Sequence, residues 1–304
     1  MDSYVSFPAL GWKFPIHDTI FTIPIGDGIA VKWYGLLITL GVLLAAWYAS
    51  RHAKQLQLDT DKMIDVVMVC GVFAILGARL YYILFSSAEE RAAFFANPIT
   101  MLYIWKGGLA IYGGVIGAFG TALWMCKVKK VDTLRMFDIA APGFLIGQAL
   151  GRWGNFFNQE AYGSNTTLPW GMMGSEIKGY PDASLPVHPT FLYESLWCLL
   201  GLLVIHITLK KAYKFRGQLF SMYIVWYGAG RFFIEQLRTD SLYLGTMRVS
   251  CLVAALAVIG GIVLFFVLKN REDRLPKTLV AEAESEESIS EEPTQEAENN
   301  GSTD

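Results

Sequence analysis

The chain is predicted to be an all-α integral membrane protein of seven transmembrane helices, with its N-terminus outside and its C-terminus cytoplasmic. Three observations predict this. Of its 304 residues, 53% are hydrophobic and 17% charged, and the mean hydropathy is +0.37, well outside the charge-rich mixture of a soluble domain. Seven stretches approach the ~20 mostly apolar residues that a spanning helix needs. The connections between those stretches alternate in positive charge, as the positive-inside rule requires of a polytopic protein.

The elements follow in chain order. Residues 1–30 have neither a basic n-region nor an uninterrupted apolar core, and Pro8, Pro15 and Pro24 break them up. They read as an external, membrane-skimming arm rather than a cleaved signal peptide. The first span is 31–50, "VKWYGLLITLGVLLAAWYAS". It is followed by 64–85, 107–126, 136–151, 190–209, 219–237 and 247–268. The fourth is short and contains Pro142 and several glycines. The 39 residues from Arg152 to Thr190, including "NTTLPWGMMGSEIKGYPDASLP", are too long for a connector and predict a small external head between helices 4 and 5. From 269 to 304 the chain holds 11 acids against 4 bases and almost no aromatics, the composition of a disordered cytoplasmic tail. The organisation is therefore an arm (1–30), a transmembrane domain (31–268, head at about 152–190) and a tail (269–304).

Charge sets the orientation. One set of connections carries fifteen bases: Arg51, Lys54 and Lys62; Lys127 to Arg135; Lys210 to Arg216; and Lys269 to Lys277. The longer connections of the other set carry eight, among them Lys13, Lys32, Arg91, Lys178, Arg238 and Arg248. The basic set belongs in the cytoplasm.

Several function classes are excluded. Cys70, Cys126, Cys198 and Cys251 all fall in apolar runs, with no CxxC and no His at metal spacing, so they read as core thiols and no metal is expected. The glycines of "KGGLAIYGGVIG" lack the strand, the spacing and the acidic residue of a dinucleotide site. No cofactor and no nucleic-acid partner is expected.

The informative residues are polar ones at membrane depth. Arg79 lies in the second span, Arg231 and Glu235 in the sixth, and Glu194 near the outer end of the fifth. A charge at the bilayer centre costs ~2.5 kcal/mol or more, so it is normally paired or functional. Arg231 and Glu235 are four apart and can pair on one face, either as a functional group or as an ion pair joining helices. Arg79, near the outer end of its span, is expected to snorkel to the interface. Residues 151–163, "GRWGNFFNQEAYG", place Arg152, Asn155, Asn158 and Glu160 between glycines at the outer mouth of the fourth span. Two arginines could thus converge at the outer leaflet, and the planar guanidinium fork suits phosphate oxygens, most available there on a phospholipid. Gly151, Gly154 and Gly163 would let backbone N–H groups approach the same anion. Asn155, Asn158 and Glu160 would orient the arginines or bind head-group hydroxyls. Gly113, Gly114, Gly117 and Gly120 in the third span would allow close helix approach or lipid access. A rival reading is a phospholipid or ion transporter with Arg79, Arg231 and Glu235 along its path. Such folds carry paired repeats, which this sequence does not show.

The stretch "GRWGNFFNQEAYG" closely resembles the pattern G-R-x-G-N-F-x-N-x-E-x-x-G of the bacterial phosphatidylglycerol–prolipoprotein diacylglyceryl transferases. Further segments agree in order: "KWYG", "GGLAIYGG", "HPTFLYES" and "YGAGRFFIEQLR". The resemblance covers about residues 8–268. It implies a monomeric multi-pass enzyme of the bacterial plasma membrane, active toward the outer leaflet. Such an enzyme would move the diacylglyceryl group of phosphatidylglycerol to the lipobox cysteine of a prolipoprotein signal peptide, releasing glycerol phosphate. It further implies Arg152, Asn155, Glu160, Arg231 and Glu235 as phosphate and head-group residues, with Glu235 holding Arg231, and Tyr34 lining the cavity. Asn158, Gly113 and Gly114 are expected beside the head group. One position departs from the family pattern. Where well-known members carry His before the third-span "GG", often proposed as the base, this chain has Tyr112. A phenol with pKa ~10 is a poor base at neutral pH. Tyr112 would then hydrogen-bond the head group, and thiol activation rests either on the field of the two arginines or on Glu160. His188 in "VHPT" reads as structural.

Overall fold

The computed structural model describes residues 3–24, 29–103, 107–179, 181–239, 243–244 and 247–271. The tail expected at 269–304 lies almost wholly outside the described residues.

The chain is mostly helical. Its helices are α1 (Trp33–His52), α2 (Thr60–Phe85), α3 (Ala88–Ala96), α4 (Ile111–Lys129), α5 (Thr133–Asn158), α6 (Thr190–Lys211), α7 (Gln218–Glu235) and α8 (Val249–Asn270). The seven apolar stretches correspond to α1, α2 and α4 to α8, and α3 is a short addition. Local chemistry starts several of them. The Asp59 carboxylate accepts from the first free N–H groups of α2, at 3.0 and 3.2 Å, and Asp132 does the same for α5 at 2.9 Å. Ser87 and Glu90 form a capping box on α3.

Helices α1, α2, α4, α6 and α8 are long and apolar enough to cross a membrane. Their outward faces carry large exposed hydrophobics, such as Leu43, Trp47, Met68, Leu80, Leu256 and Ile259, a surface that suits lipid and not water. Helices α5 and α7 fall short of that composition because they carry the polar residues, and they lie inside. α5 packs on α1, α6 and α7, and α7 packs on α5, α6 and α8. Ile139, Leu145 and Ala149 of α5 are at the middle of the main apolar core, with Met63 and Val66 of α2, Cys126 of α4, and Cys198 and Ile205 of α6. The fourth span, short in the sequence reading, is a continuous 26-residue helix that runs through buried Pro142.

Small residues bring the helices together. A Cβ on Gly113 would overlap the Gly77 carbonyl, and one on Gly117 the Phe73 carbonyl, so α2 and α4 meet backbone to backbone. Trp197 of α6 and Trp226 of α7 stack at 4.7 Å, and each indole N–H donates to the other's backbone carbonyl at 2.9 Å. That exchange satisfies both polar tips in the bundle. Arg79 corrects its sequence reading. It does not snorkel but is buried, donating to the carbonyls of Thr100, Met101, Gly107 and Gly108 at 2.7 to 3.0 Å. Those carbonyls belong to the connection between α3 and α4, Thr100 and Met101 within a short 3-10 turn, so the fork ties the approach to α4 onto α2.

Short strands accompany the helices outside the spans: β1 (Tyr4–Phe7), β2 (Trp12–Pro15), β3 (Thr19–Ile23), β4 (Ile29–Lys32), β5 (Met173–Gly174), β6 (Tyr243–Leu244) and β7 (Met247–Arg248). β1 pairs with β2 on one side and with β5, from the α5–α6 connection, on the other. Val5, Phe7, Ile16, Met172, Ile177, Val187 and Phe191 form a second apolar cluster against Phe156 and Phe157 at the end of α5. The N-terminal arm and the long connection are thus one packed unit seated on α5 and α6.

At the opposite end, where α7 begins, Asp138 of α5 is fully buried. It accepts from the Tyr213 hydroxyl at 2.7 Å, the Gly217 N–H at 2.6 Å and the Phe220 N–H at 2.9 Å, capping α7 from a neighbouring helix. Asp138→Ala leaves those donors buried without an acceptor. A loss of about 3–5 kcal/mol is expected, read as a fall in thermal midpoint in detergent that Asp138→Asn only partly spares.

Candidate functional site: an arginine–carboxylate cluster

Helices α5 and α7 end at the same place, and α6 begins there. The pattern residues of 151–163 are largely helical, since α5 continues to Asn158 instead of opening into a loop at Arg152. Arg152 and Asn155, three apart, therefore share one face of the last turns of α5. Glu194 lies in the second turn of α6, and Arg231 and Glu235 in the last turns of α7.

The charges converge on two carboxylates. Glu194 Oε2 meets Arg152 at 2.6 Å, while Oε1 meets Arg231 at 3.3 Å and Arg238 at 3.5 Å. Glu235 Oε2 takes the other terminal nitrogen of Arg231 at 2.7 Å and lies 3.9 Å from Arg238 Nε. The Arg248 guanidinium donates to the Glu235 backbone carbonyl. Glu194 and Glu235 are 5% and 1% exposed, so neither can be solvated by bulk water, and the arginines supply the compensation. Three guanidiniums on two carboxylates leave an excess of positive charge at the α5 and α7 C-termini, where the helix dipoles also favour cations.

A polar relay extends the cluster. Arg152 donates to Asn155 Oδ1 at 3.2 Å, and Asn155 Nδ2 passes the chain on to Glu160 Oε1 at 2.9 Å. Asn158 Nδ2 donates to the same oxygen at 3.1 Å. Beyond Asn158 the chain turns through left-handed backbone at Gln159 (φ 52°) and Ala161 (φ 56°), which aims Glu160 back at the two asparagines. The turn is fastened by Thr190, whose hydroxyl donates to the Ala161 carbonyl at 2.5 Å. Gly163 has no room for a Cβ between His188 and the Leu237 carbonyl, so it joins the turn to the segment that carries Arg238.

The structure therefore brings together Arg152, Asn155, Asn158, Glu160, Arg231 and Glu235. Tyr34, near the start of α1, lies with its ring against Gly154, where a Cβ would overlap it. Tyr112 stands apart, 60% exposed in the first turn of α4 with its ring 6.3 Å from Tyr81, and among the described residues no hydrogen bond joins it to the cluster. Gly113 and Gly114 face α2, against Gly77 and Tyr81 and against Ala74 and Ala78, so their contacts are those of helix packing. His188 sits 3.2 Å from the Tyr193 hydroxyl, and burial holds its imidazole below the usual histidine range, hence neutral. Sequence reasoning noted Glu194 as a polar residue at depth but did not place it in the site, and it counted Arg238 and Arg248 only as loop charges. The available signal was Glu194's isolation, a lone acid in the apolar run "TFLYESLWCLL".

Apolar helices around an arginine-rich polar cluster define a multi-pass membrane protein with a site suited to an anionic, membrane-resident ligand. The chain belongs to the family described as prolipoprotein diacylglyceryl transferase, whose profile matches residues 20–267. It is 46% identical over 244 residues to phosphatidylglycerol–prolipoprotein diacylglyceryl transferase 1 of Clostridium perfringens, covering 79% of this chain and 91% of that protein. The corresponding transferase of Finegoldia magna is 45% identical over 244 residues, covering 80% and 94%. That of Bacillus cytotoxicus is 40% identical over 252 residues, covering 81% and 91%.

The contact between Gly154 and Tyr34 is directly testable. Gly154→Ala overpacks the site and should cost about 1–3 kcal/mol. Adding Tyr34→Ala should relieve most of that cost, giving a non-additive double-mutant cycle by thermal denaturation in detergent.

Proposed function

We propose that this chain transfers the diacylglyceryl group of phosphatidylglycerol to the lipobox cysteine thiol of prolipoproteins, with Arg152 and Arg231 as the clamp on the lipid phosphate. The observation that carries the reading is the meeting of these arginines, from α5 and α7, on the Glu194 carboxylate. Family membership and the activity named for the relatives support the same conclusion.

The proposed reaction is a displacement at the glycerol carbon that bears the phosphate. The thiol sulfur forms a C–S bond, the C–O bond to phosphate breaks, and glycerol phosphate leaves with the electron pair. The thiol proton passes to a base or to solvent. Negative charge grows on the bridging oxygen, and a positioned donor in a low-dielectric site contributes ~3–4 kcal/mol to such a transition state. Arg152 and Arg231 act there. Asn155 and Asn158, tied to Glu160, set the polar wall for the head-group glycerol, and Tyr34 closes the side toward α1. The nucleophile comes from the substrate, and a thiol with pKa ~8.5 needs only a cationic field or a nearby carboxylate to react as thiolate. Glu160, linked to Arg152 through Asn155, is the carboxylate on that side of the site.

In the membrane this reading takes α1, α2 and α4 to α8 as seven spans, with the basic connections cytoplasmic and the arm and head on the outside above the cluster. Helices α5 and α7 cross within the bundle, screened from lipid by their neighbours. The protein works as a monomer at the outer leaflet of the bacterial plasma membrane, and the head admits the lipobox peptide.

Purified protein in detergent, given phosphatidylglycerol and a lipobox peptide, should add a diacylglyceryl mass to the peptide and release glycerol phosphate. Arg152→Ala should remain folded and lose about 100- to 1,000-fold in kcat. Tyr112→Phe should retain most activity, in keeping with its place outside the cluster. A folded wild-type protein that gives no mass gain overturns the transferase reading in favour of a lipid transporter.

A further inference from the structure

We infer that Glu194 is the positioning residue of the phosphate clamp, the single carboxylate that sets the separation and facing of Arg152 and Arg231. The inference rests on the reading of those two arginines as the clamp.

The geometry is specific to a carboxylate. Oε2 takes Arg152 at 2.6 Å and Oε1 takes Arg231 at 3.3 Å, so the fork is divided between α5 and α7 and holds two guanidiniums one carboxylate's width apart. Two like charges so close would otherwise repel and swing apart. Each arginine has a second support on its other terminal nitrogen: Asn155 for Arg152 at 3.2 Å, and Glu235 for Arg231 at 2.7 Å. Two-point support fixes the plane of each guanidinium, and each terminal nitrogen still carries a further hydrogen for an incoming anion.

The carboxylate itself is placed rigidly. Its helix is joined to α5 next door, where the Ser195 hydroxyl donates to the Ala149 carbonyl at 3.0 Å and accepts from the Trp153 indole at 3.2 Å. Glu194 is buried, and Arg238 reaches Oε1 from behind at 3.5 Å. Both carboxylate oxygens are taken up by guanidiniums, from Arg152, Arg231 and Arg238, so its part is to orient its neighbours. An aligned clamp matters because charge develops on one bridging oxygen, and a displacement of donors by about 1 Å is enough to cost roughly 100-fold in rate.

The test compares wild type, Glu194→Gln, Glu194→Asp and Arg152→Ala as full-length proteins in detergent, with phosphatidylglycerol and a lipobox peptide. Thermal midpoints are used to express rates per folded molecule. Gln has the shape of Glu but one acceptor oxygen, and its amide would face a guanidinium. Asp keeps both oxygens on a shorter stem. Glu194→Gln should lose about 100-fold in kcat, with KM for phosphatidylglycerol within threefold of wild type, because the cations that attract the lipid remain. Glu194→Asp should recover part of the lost kcat. Three results overturn the inference while the clamp stands: Arg152→Ala inactive with Glu194→Gln at wild-type kcat; a raised KM alone; or Gln tolerated as well as Asp, which is what a packing role predicts. If Arg152→Ala keeps full activity, the clamp itself falls and the inference with it.

Discussion

Two buried carboxylates, Glu194, which gathers arginines from α5 and α7, and Glu235, which holds Arg231 and Arg238 on either side of it in the chain, are the constraint on which the rest of this structure depends. Neither acid could be stable at 5% and 1% exposure without those partners, and the arginines would repel one another without the acids. The cluster forms only if the ends of α5 and α7 and the beginning of α6 are brought to one point. That requirement accounts for the central place of α5 and α7 and for the devices that fasten them: the Trp197–Trp226 exchange, the Ser195 link to Ala149, and the Asp138 cap at the far end.

Helix composition follows from the same constraint. α5 and α7 can carry arginines, glutamates and asparagines because other helices stand between them and lipid, while α1, α2 and α8 present Leu, Val, Ile and Phe outward. The α2–α4 pair reaches its close approach by removing side chains at Gly77, Gly113 and Gly117 instead of adding polar contacts. Its aromatic contact with the centre runs through Phe119, which packs on Phe137 and Phe144 of α5 and on Phe220 of α7. Apolar packing of this sort leaves α4, with Tyr112 at its start, attached to the bundle without joining the charge network. Tyr112 therefore enters none of the ion pairs described for the cluster.

The strands of the N-terminal segment and the α5–α6 connection have the opposite logic. They are too short to stand alone, and β1 gains a second partner only from β5, some 170 residues later in the chain. Packing against Phe156, Phe157 and Phe191 secures them to the helices that carry Arg152 and Glu194. A part of the chain that reads as loop and arm thus braces the turn that directs Glu160 toward Asn155 and Asn158.

The amino-acid sequence by itself determined the helical membrane class, the positions of the apolar helices, the pairing of Arg231 with Glu235 and the family pattern around Arg152, because each is written in spacing, hydropathy or local order. Only the tertiary structure decided that Glu194 and Arg238 belong to the cluster, that Arg79 is buried on backbone carbonyls, that Gly113 and Gly114 serve helix packing, and that the arm and the α5–α6 connection share a sheet. The physical reason is common to all four. Each depends on contacts between residues distant in the chain, and an acid in an apolar helix or a glycine in a span looks the same in sequence whether it meets an arginine, a carbonyl or lipid.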